Sequence, residues 1–444
     1  MAQSRIDPLA SSAPAIVYID FKSPYAYLAV APTRALADEL GLEIDWRPFN
    51  LDIRSYLGSA RLDTGGRVVE EQRSAGQWAR VRYAYHDVRR YAGPRVIRGT
   101  TKIWDSTLAG IGMMWAKQQG QILLQRYIDY VYERFWKREL DIEDLAVIEQ
   151  VLIAIGADVG GFQAWARNEG RKIHDDLQRD AFEAGIFGVP TYVIAGERHF
   201  GREHLPRVRW LLGGRQGPPP DVAYEPLRAT ARTAGTPSSR ALIVAVDFKN
   251  PYSYLALGPT RAMSRELGVP IDWRPFLVSP WQRRTLSAAD DRATRHRALR
   301  SAYAEREVAI YADTLGVSLR GLYRGSNSTL AAIGLLWAKR FALEAAERFV
   351  VNVFGGYWRE ELDIEDPAAI TSRLAEAGVP IKGFDGFLEH EGVAALERVR
   401  NELIDTGLFD VPAYQLDGEI YIGRQHLPTI RALMAAGNAA RSLG

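Results

Sequence analysis

Ser23 and Asn250 occupy the same place in two copies of one motif, DFKSPYAYLA at Asp20–Ala29 and DFKNPYSYLA at Asp247–Ala256. Each follows a short apolar run and precedes a proline, Pro24 or Pro251. Ser or Asn ahead of Pro opens a helix. The side-chain oxygen caps a main-chain N–H, and proline suits the first helical position because its missing N–H needs no partner there. The N–H groups and dipole at such a terminus favour an anion, for example a thiolate. Ser23 can also donate its hydroxyl hydrogen to that sulfur. Both residues serve equally well as plain N-caps, and the sequence leaves the two readings standing. The chain has no cysteine. Disulfides, dithiol redox chemistry and Cys-ligated metals are therefore excluded, and any thiolate must come from another molecule.

Two further pairs carry chemistry. Val189-Pro190 lies in FGVPT and recurs as Val411-Pro412 in FDVPA. Gly201-Arg202-Glu203 recurs as Gly423-Arg424-Gln425, each ahead of a closing helix. N–H groups at that turn can take a ligand carboxylate, and Glu203 can pair with an amine; the alternative is a capped surface turn. Because Arg202, Arg424, His204 and His426 recur, they are equally well explained as structural. The seven His residues show no HExxH spacing, so no metal site is expected. P-loop and Rossmann glycine patterns are missing as well.

The elements that must position these residues read as follows. Ala15–Asp20 is a buried strand. A helix runs from Ser23-Pro24 through Leu28, Leu36 and Leu40 and stops at Gly41. Glu43–Phe49 is a second strand, parallel to the first across a right-handed crossover. Helices follow over Gln77–Tyr91, Thr107–Gln119, Ile122–Arg138, Ile142–Ile155 and Phe162–Ala184. Val189–Ile194 and His199-Phe200 return to strand, and His204–Leu212 closes. The order β-α-β, helical block, β-β-α is that of a thioredoxin fold with an all-helical insertion between its halves. In that fold the Pro of Val189-Pro190 is cis and faces the helix terminus, leaving the preceding backbone to pair with an extended ligand. The competing reading is a proline that merely starts a strand.

The second half repeats the first. Asp20 and Asp247 are 227 residues apart, whereas Trp115 and Trp337 are 222 apart, so the first copy is longer somewhere between Phe49 and Thr107. Periods of this length are duplicated domains rather than solenoid repeats. The expected α/β organisation is two thioredoxin-like domains with helical insertions, 14–213 and 240–444. A Pro/Gly/Ser-rich linker joins them over 214–239, and the two copies form an intramolecular pseudo-dimer. A formal charge of +2 in 444 residues argues against nucleic-acid or anionic-membrane partners. The first residues lack the apolar run of a signal peptide and no window is apolar enough to span a bilayer, so a cytoplasmic location is expected.

DFxSPY, WRPF, FGVPT and the glycine turn before the last helix together resemble 2-hydroxychromene-2-carboxylate isomerases and kappa-class glutathione transferases. The resemblance covers nearly all of both copies. It implies that Ser23 contacts the sulfur of glutathione or a similar low-molecular-weight thiol. It also implies that backbone at Val189-Pro190 pairs with the cysteinyl part, and that the Arg202-Glu203 turn binds the γ-glutamyl end. The second-copy equivalents are Asn250, Val411, Pro412, Arg424 and Gln425. The implied activity is a thiol-dependent isomerase or transferase acting on a small unsaturated, aromatic-derived substrate, by addition of the thiolate, bond rotation and elimination. The alternative is a catalytically degenerate binding or scaffold protein that retains the fold. Both copies lack the family's Gly-Asn-x-Pro-Pro run after RPF, and Asn250 replaces the serine in copy two. Asn327-Ser328 stands in copy two where copy one has Asp105-Ser106.

Overall fold

The computed structural model describes residues 6–65, 67–225, 241–284 and 290–442. Residues 226–239 of the expected linker lie outside the described residues. The chain forms two compact units, Met1–Pro220 with Leu286–Arg300, and Asp221–Thr285 with Ser301–Gly444. The units thus part inside the stretch read as linker, and the described part of Leu286–Arg300, from the second repeat, belongs to the first unit.

In the first unit β1 (Ala15–Ile19) is buried along its whole length because it is central. It pairs in parallel with β2 (Ile44–Pro48), placing Val17 against Trp46. On its other side β1 runs antiparallel to β5 (Thr191–Ile194), with Tyr18 opposite Thr191, and β5 pairs with β6 (Glu197–Phe200). The strand order is β2-β1-β5-β6. Between β1 and β2 runs α1 (Pro24–Leu40), closed by Gly41 at φ 63°, a left-handed position that suits glycine. Pro32 lies inside α1 without ending it, as does its counterpart Pro259 in the second unit.

Between β2 and β5 come α2 (Ile53–Leu57), the hairpin β3 (Ala60–Leu62) and β4 (Val68–Glu71), α3 (Ala75–Tyr91), α4 (Thr107–Gln118), α5 (Gln121–Lys137), α6 (Leu145–Ala154), α7 (Phe162–Arg167) and α8 (Glu169–Glu183). The sequence reading omits α2 and the hairpin. Their residues are exposed or half-buried, so no apolar periodicity marks them. It also runs α7 and α8 together. The chain breaks at Asn168, as it does at Glu391 in the second repeat, and just past the break the Trp165 ring packs against Gly170, where a Cβ would collide with it. The insertion's core is made by α4 and α5, where Ile111, Met113, Leu124, Ile128 and Val131 are fully buried. Burial of each such side chain stabilises by roughly 1.5–3 kcal/mol. A 3-10 turn, Arg202–His204, leads into α9 (Leu205–Leu212).

The second unit repeats the plan. It contains β7 (Leu242–Val246), α10 (Pro251–Leu267), β8 (Ile271–Pro275), α11 (Arg292–Leu315), α12 (Thr329–Lys339), α13 (Leu343–Trp358), α14 (Pro367–Glu376), α15 (Phe384–His390), α16 (Gly392–Asp405), β9 (Ala413–Leu416), β10 (Glu419–Ile422) and α17 (Leu427–Ser442). Its sheet has the order β10-β9-β7-β8. The first turns of α11, through Arg300, count with the first unit. A buried polar pair ties helix to sheet in each unit: Thr33 with Tyr192 at 2.9 Å, and Thr260 with Tyr414 at 2.8 Å. Among the described residues no helix is long and apolar enough to cross a membrane.

Candidate functional site

Ser23 is the N-cap of α1. Its Oγ accepts from the Ala26 N–H at 3.2 Å, and Pro24 follows at the first helical position. Asn250 does the same for α10, its Oδ1 accepting from Ser253 N at 3.0 Å. Both are 4 % exposed. The cap uses only an acceptor lone pair of Ser23, so its hydroxyl hydrogen remains to donate.

The register of β1 with β5 brings the Ser23 end of β1 and the Val189-Pro190 peptide to the same end of the sheet. Val189-Pro190 and Val411-Pro412 are both cis. The Gly201 N–H donates to the Pro190 carbonyl at 2.9 Å, and Gly423 to Pro412 at 2.8 Å. The fold therefore gathers the helix terminus, the Val-Pro loop and the glycine turn in each unit.

The side chains at that turn are differently disposed. Arg202 is 6 % exposed and lays its guanidinium over the Tyr91 ring, 4.5 Å from the centroid. The Glu203 carboxylate folds over Gly201, filling the space a Cβ would need, and Gln425 does the same at Gly423. In the second unit Arg424 is buried and grips Asp221 through Nε at 3.0 and 3.1 Å and Nη2 at 2.9 Å. The Tyr224 N–H donates to the Gln425 carbonyl at 2.8 Å, and the Tyr224 ring meets His426 edge-on. Residues 221–224, read as linker, thus lie along the second-copy turn.

Sequence reasoning missed Lys22 and Lys249, although both stand inside the quoted motifs. Lys249 Nζ donates to Asp247 Oδ2 at 2.5 Å and Ser328 Oγ at 3.0 Å, and Ser328 Oγ donates to Asp247 Oδ1 at 2.6 Å. The first unit has the same trio with longer contacts. Lys22 Nζ is 3.4 Å from Asp20 Oδ2 and donates to Ser106 Oγ at 3.2 Å. The signal available in the sequence was recurrence: only eight lysines occur in the chain, and these two coincide.

The loop carrying Lys22 and Ser23 is held from α5. Tyr132 Oη donates to the Asp20 carbonyl at 3.0 Å, and Trp136 Nε1 to the Phe21 carbonyl at 3.1 Å. At the positions of Tyr132 and Trp136 the second repeat has Phe354, which lacks a hydroxyl, and Trp358. Trp358 Nε1 is buried without a hydrogen-bond partner among the described residues.

A cavity of about 710 Å³ opens beside Lys22 in the first unit, lined by Asn50, Trp104, Thr107, His174, Arg292 and Arg295 among others. Asn50 Nδ2 donates to Thr107 Oγ1 at 2.9 Å. Arg292 lies 4.2 Å over the Phe182 ring and 3.3 Å from Asp52. His296, from the same segment, stacks on Tyr56 with centroids 4.3 Å apart, and its Nε2 lies 3.0 Å from the Phe187 carbonyl. Burial lowers the His296 pKa to about 4 against the opposing pull of that carbonyl. Burial likewise lowers that of His174, against Asp175, and raises that of Tyr56. A larger groove, about 1210 Å³, runs along β2, α4 and α8. Asp45 in it pairs with both Arg47 and Lys117, and like the smaller cavity it does not include Ser23 or Val189; unlike that cavity it does not reach Lys22 either.

This geometry is that of the thioredoxin class with the redox cysteines absent. The chain belongs to the DSBA-like thioredoxin domain family, which matches it twice, over residues 16–213 and 241–435. Among curated proteins it is similar to the 2-hydroxychromene-2-carboxylate isomerase of Pseudomonas putida, 26 % identical over 203 residues, covering 44 % of this chain and 92 % of the relative. The enzyme of the same name from Sphingobium xenophagum is 21 % identical over 193 residues, covering 42 % and 92 %. A solved 2-hydroxychromene-2-carboxylate isomerase structure covers 46 % of this chain and 98 % of its own, at 19 % identity and a TM-score of 0.37. Each relative corresponds to one repeat.

Proposed function

We propose that the chain is an isomerase or transferase dependent on glutathione or a similar thiol, acting on a small unsaturated, aromatic-derived substrate, with its principal site in the first repeat. The observation that carries this reading is the asymmetry between the units. The first keeps a serine hydroxyl at a helix terminus and a loop pinned by Tyr132 and Trp136, and a cavity borders that loop at Lys22, though not at Ser23 itself. The second has Asn250, loses the Tyr132 hydroxyl, and has its glycine turn lined by residues 221–224.

The donor set in the first unit fits a thiolate. Ser23 has a hydroxyl hydrogen to give, and the first turn of α1 supplies N–H groups and the positive end of the dipole. A bound thiol would supply the nucleophilic sulfur. The chain's own part is to orient that sulfur at Ser23, favour its anion, and hold the substrate in the cavity beside Lys22. Ser23 is 4 % exposed, so access requires local opening. That burial favours a second reading, a binding or scaffold protein in which Ser23 is only a cap.

Addition of glutathione separates the two. A ligand present at 100 times its dissociation constant stabilises by about 2.7 kcal/mol. A clear rise in melting temperature that is lost in Ser23→Ala supports the enzyme reading. An unchanged melting curve at millimolar glutathione removes its basis and leaves the scaffold.

A further inference from the structure

Four residues that belong to neither repeat are seated on the second one. The family match stops at residue 213 and resumes at 241, and residues 221–224 fall between. The Asp221 carboxylate takes Nε of Arg424 at 3.0 and 3.1 Å and Nη2 at 2.9 Å, and the Arg424 side chain is 4 % exposed. Val222 is buried against Leu255, from the first turns of α10, and against Val308 and Tyr311 of α11. The Tyr224 N–H donates to the Gln425 carbonyl at 2.8 Å, and its ring closes edge-on against His426. A charged pair, a buried apolar side chain and a main-chain bond are the contacts by which proteins hold extended peptides.

The receptacle, by contrast, is part of the repeat. Arg202 in the first unit is also buried over a tyrosine, 4.5 Å from the centroid of Tyr91, as Arg424 lies 5.0 Å from that of Tyr311. The Gly423 N–H donates to the Pro412 carbonyl as Gly201 does to Pro190. The arginine and its turn therefore recur, whereas the segment 221–224 occupies a place that the repeat itself provides. That segment runs from the start of α10 to the glycine turn, the two features that the family resemblance gives to a bound ligand.

We propose that residues 221–224 are an internal ligand of the second repeat: they lie along its glycine turn in the manner of a carboxylate-bearing peptide and keep the turn closed to free molecules of that chemistry. The inference rests on the reading of the turn as a ligand place, but not on thiol chemistry or on Ser23. The occupant is tethered, so a free ligand must compete against an effective concentration of about millimolar or more.

The test counts binding sites on the full chain. Asp221→Ala removes the carboxylate, and S-methylglutathione, a peptide with free carboxylates and no thiol, is titrated into variant and wild type by calorimetry. The variant is expected to bind one equivalent more than the wild type. Adding Arg424→Met to it should weaken the new binding by about tenfold or more, the scale of hydrogen bonds to a charged group. Leu374→Ala truncates the buried core of the same unit at α14, controls for general loosening, and should gain nothing. If Asp221→Ala does not fold, Asp221→Asn, which keeps the side-chain volume, is titrated instead. Equal stoichiometry in variant and wild type, a gain that survives Arg424→Met, or the same gain in Leu374→Ala overturns the proposal. If the wild type takes up none and Asp221→Ala one, the internal ligand stands although the first repeat holds no ligand. If each takes up one, the internal ligand falls while the site in the first repeat stands.

Discussion

Tyr132 donates its hydroxyl hydrogen to the main-chain oxygen of Asp20 at 3.0 Å, and Phe354 in the second repeat has no hydroxyl with which to do the same. With Trp358 Nε1 also unpartnered among the described residues, the second loop lacks both side-chain bonds that hold the first. The Asp20 oxygen also accepts from the Ser23 N–H at 2.9 Å, so losing Tyr132 Oη does not leave it orphaned. Tyr132→Phe is therefore expected to cost only about 1 kcal/mol, the net value of one hydrogen bond. On the proposed function, its effect on glutathione binding should be larger than this stability loss suggests, because it frees the loop that carries Ser23. Denaturation and calorimetric titration of the same variant compare the two. Unchanged affinity would show that the clamp does not position the site.

Ser23→Ala should lower stability by about 1 kcal/mol through loss of the cap and should abolish thiol-dependent turnover. Ser23→Asn is the sharper probe, because it keeps a strong cap while copying Asn250. The expected result is near-native stability with turnover strongly reduced. Full turnover in Ser23→Asn, combined with its loss in Asn250→Ala, would reverse the assignment of the two repeats.

His296 links pH to stability of the first unit. Its folded pKa is about 4, against about 6.5 for an unperturbed histidine. Below pH 6.5 the unfolded chain takes up a proton that the folded chain resists. Stability from this group is complete above 6.5 and falls as the pH drops towards 4, by up to roughly 3 kcal/mol. His174, also lowered by burial, acts in the same sense. His296→Phe preserves a ring against Tyr56 and removes the titration. Urea unfolding at pH 7 and pH 5 should show a smaller loss in the variant. Equal losses would place the acid sensitivity elsewhere.

Asp221→Ala removes the carboxylate that grips buried Arg424. Leaving a buried guanidinium unpaired costs about 3–5 kcal/mol, and the partial exposure of Asp221 places the expectation at the lower end. The second unit should melt earlier, while any stabilisation by glutathione that the proposed function assigns to the first repeat persists. A loss within error would mean that the Tyr311 ring, 5.0 Å from the guanidinium, and water suffice to hold Arg424.

The sequence by itself determined the duplication, the strand–helix–strand openings, and the caps at Ser23 and Asn250. All of these are short-range. A cap bond spans three residues, a buried strand is one apolar run, and a glycine stop is one backbone conformation. Tertiary structure alone decided the surroundings of the site. Ser106 meets Lys22 across 84 positions, Tyr132 meets Asp20 across 112, and Arg424 meets Asp221 across 203. It also decided that the described part of Leu286–Arg300 joins the first unit, where His296 and Ala298 become buried. Periodicity reports that a face is buried but not what buries it, and hydrogen bonds formed over 3 Å leave no trace at such separations along the chain. Ser23 was therefore legible as a helix terminus, whereas the partners of Lys22 beside it, Asp20 and the distant Ser106, came only with the fold.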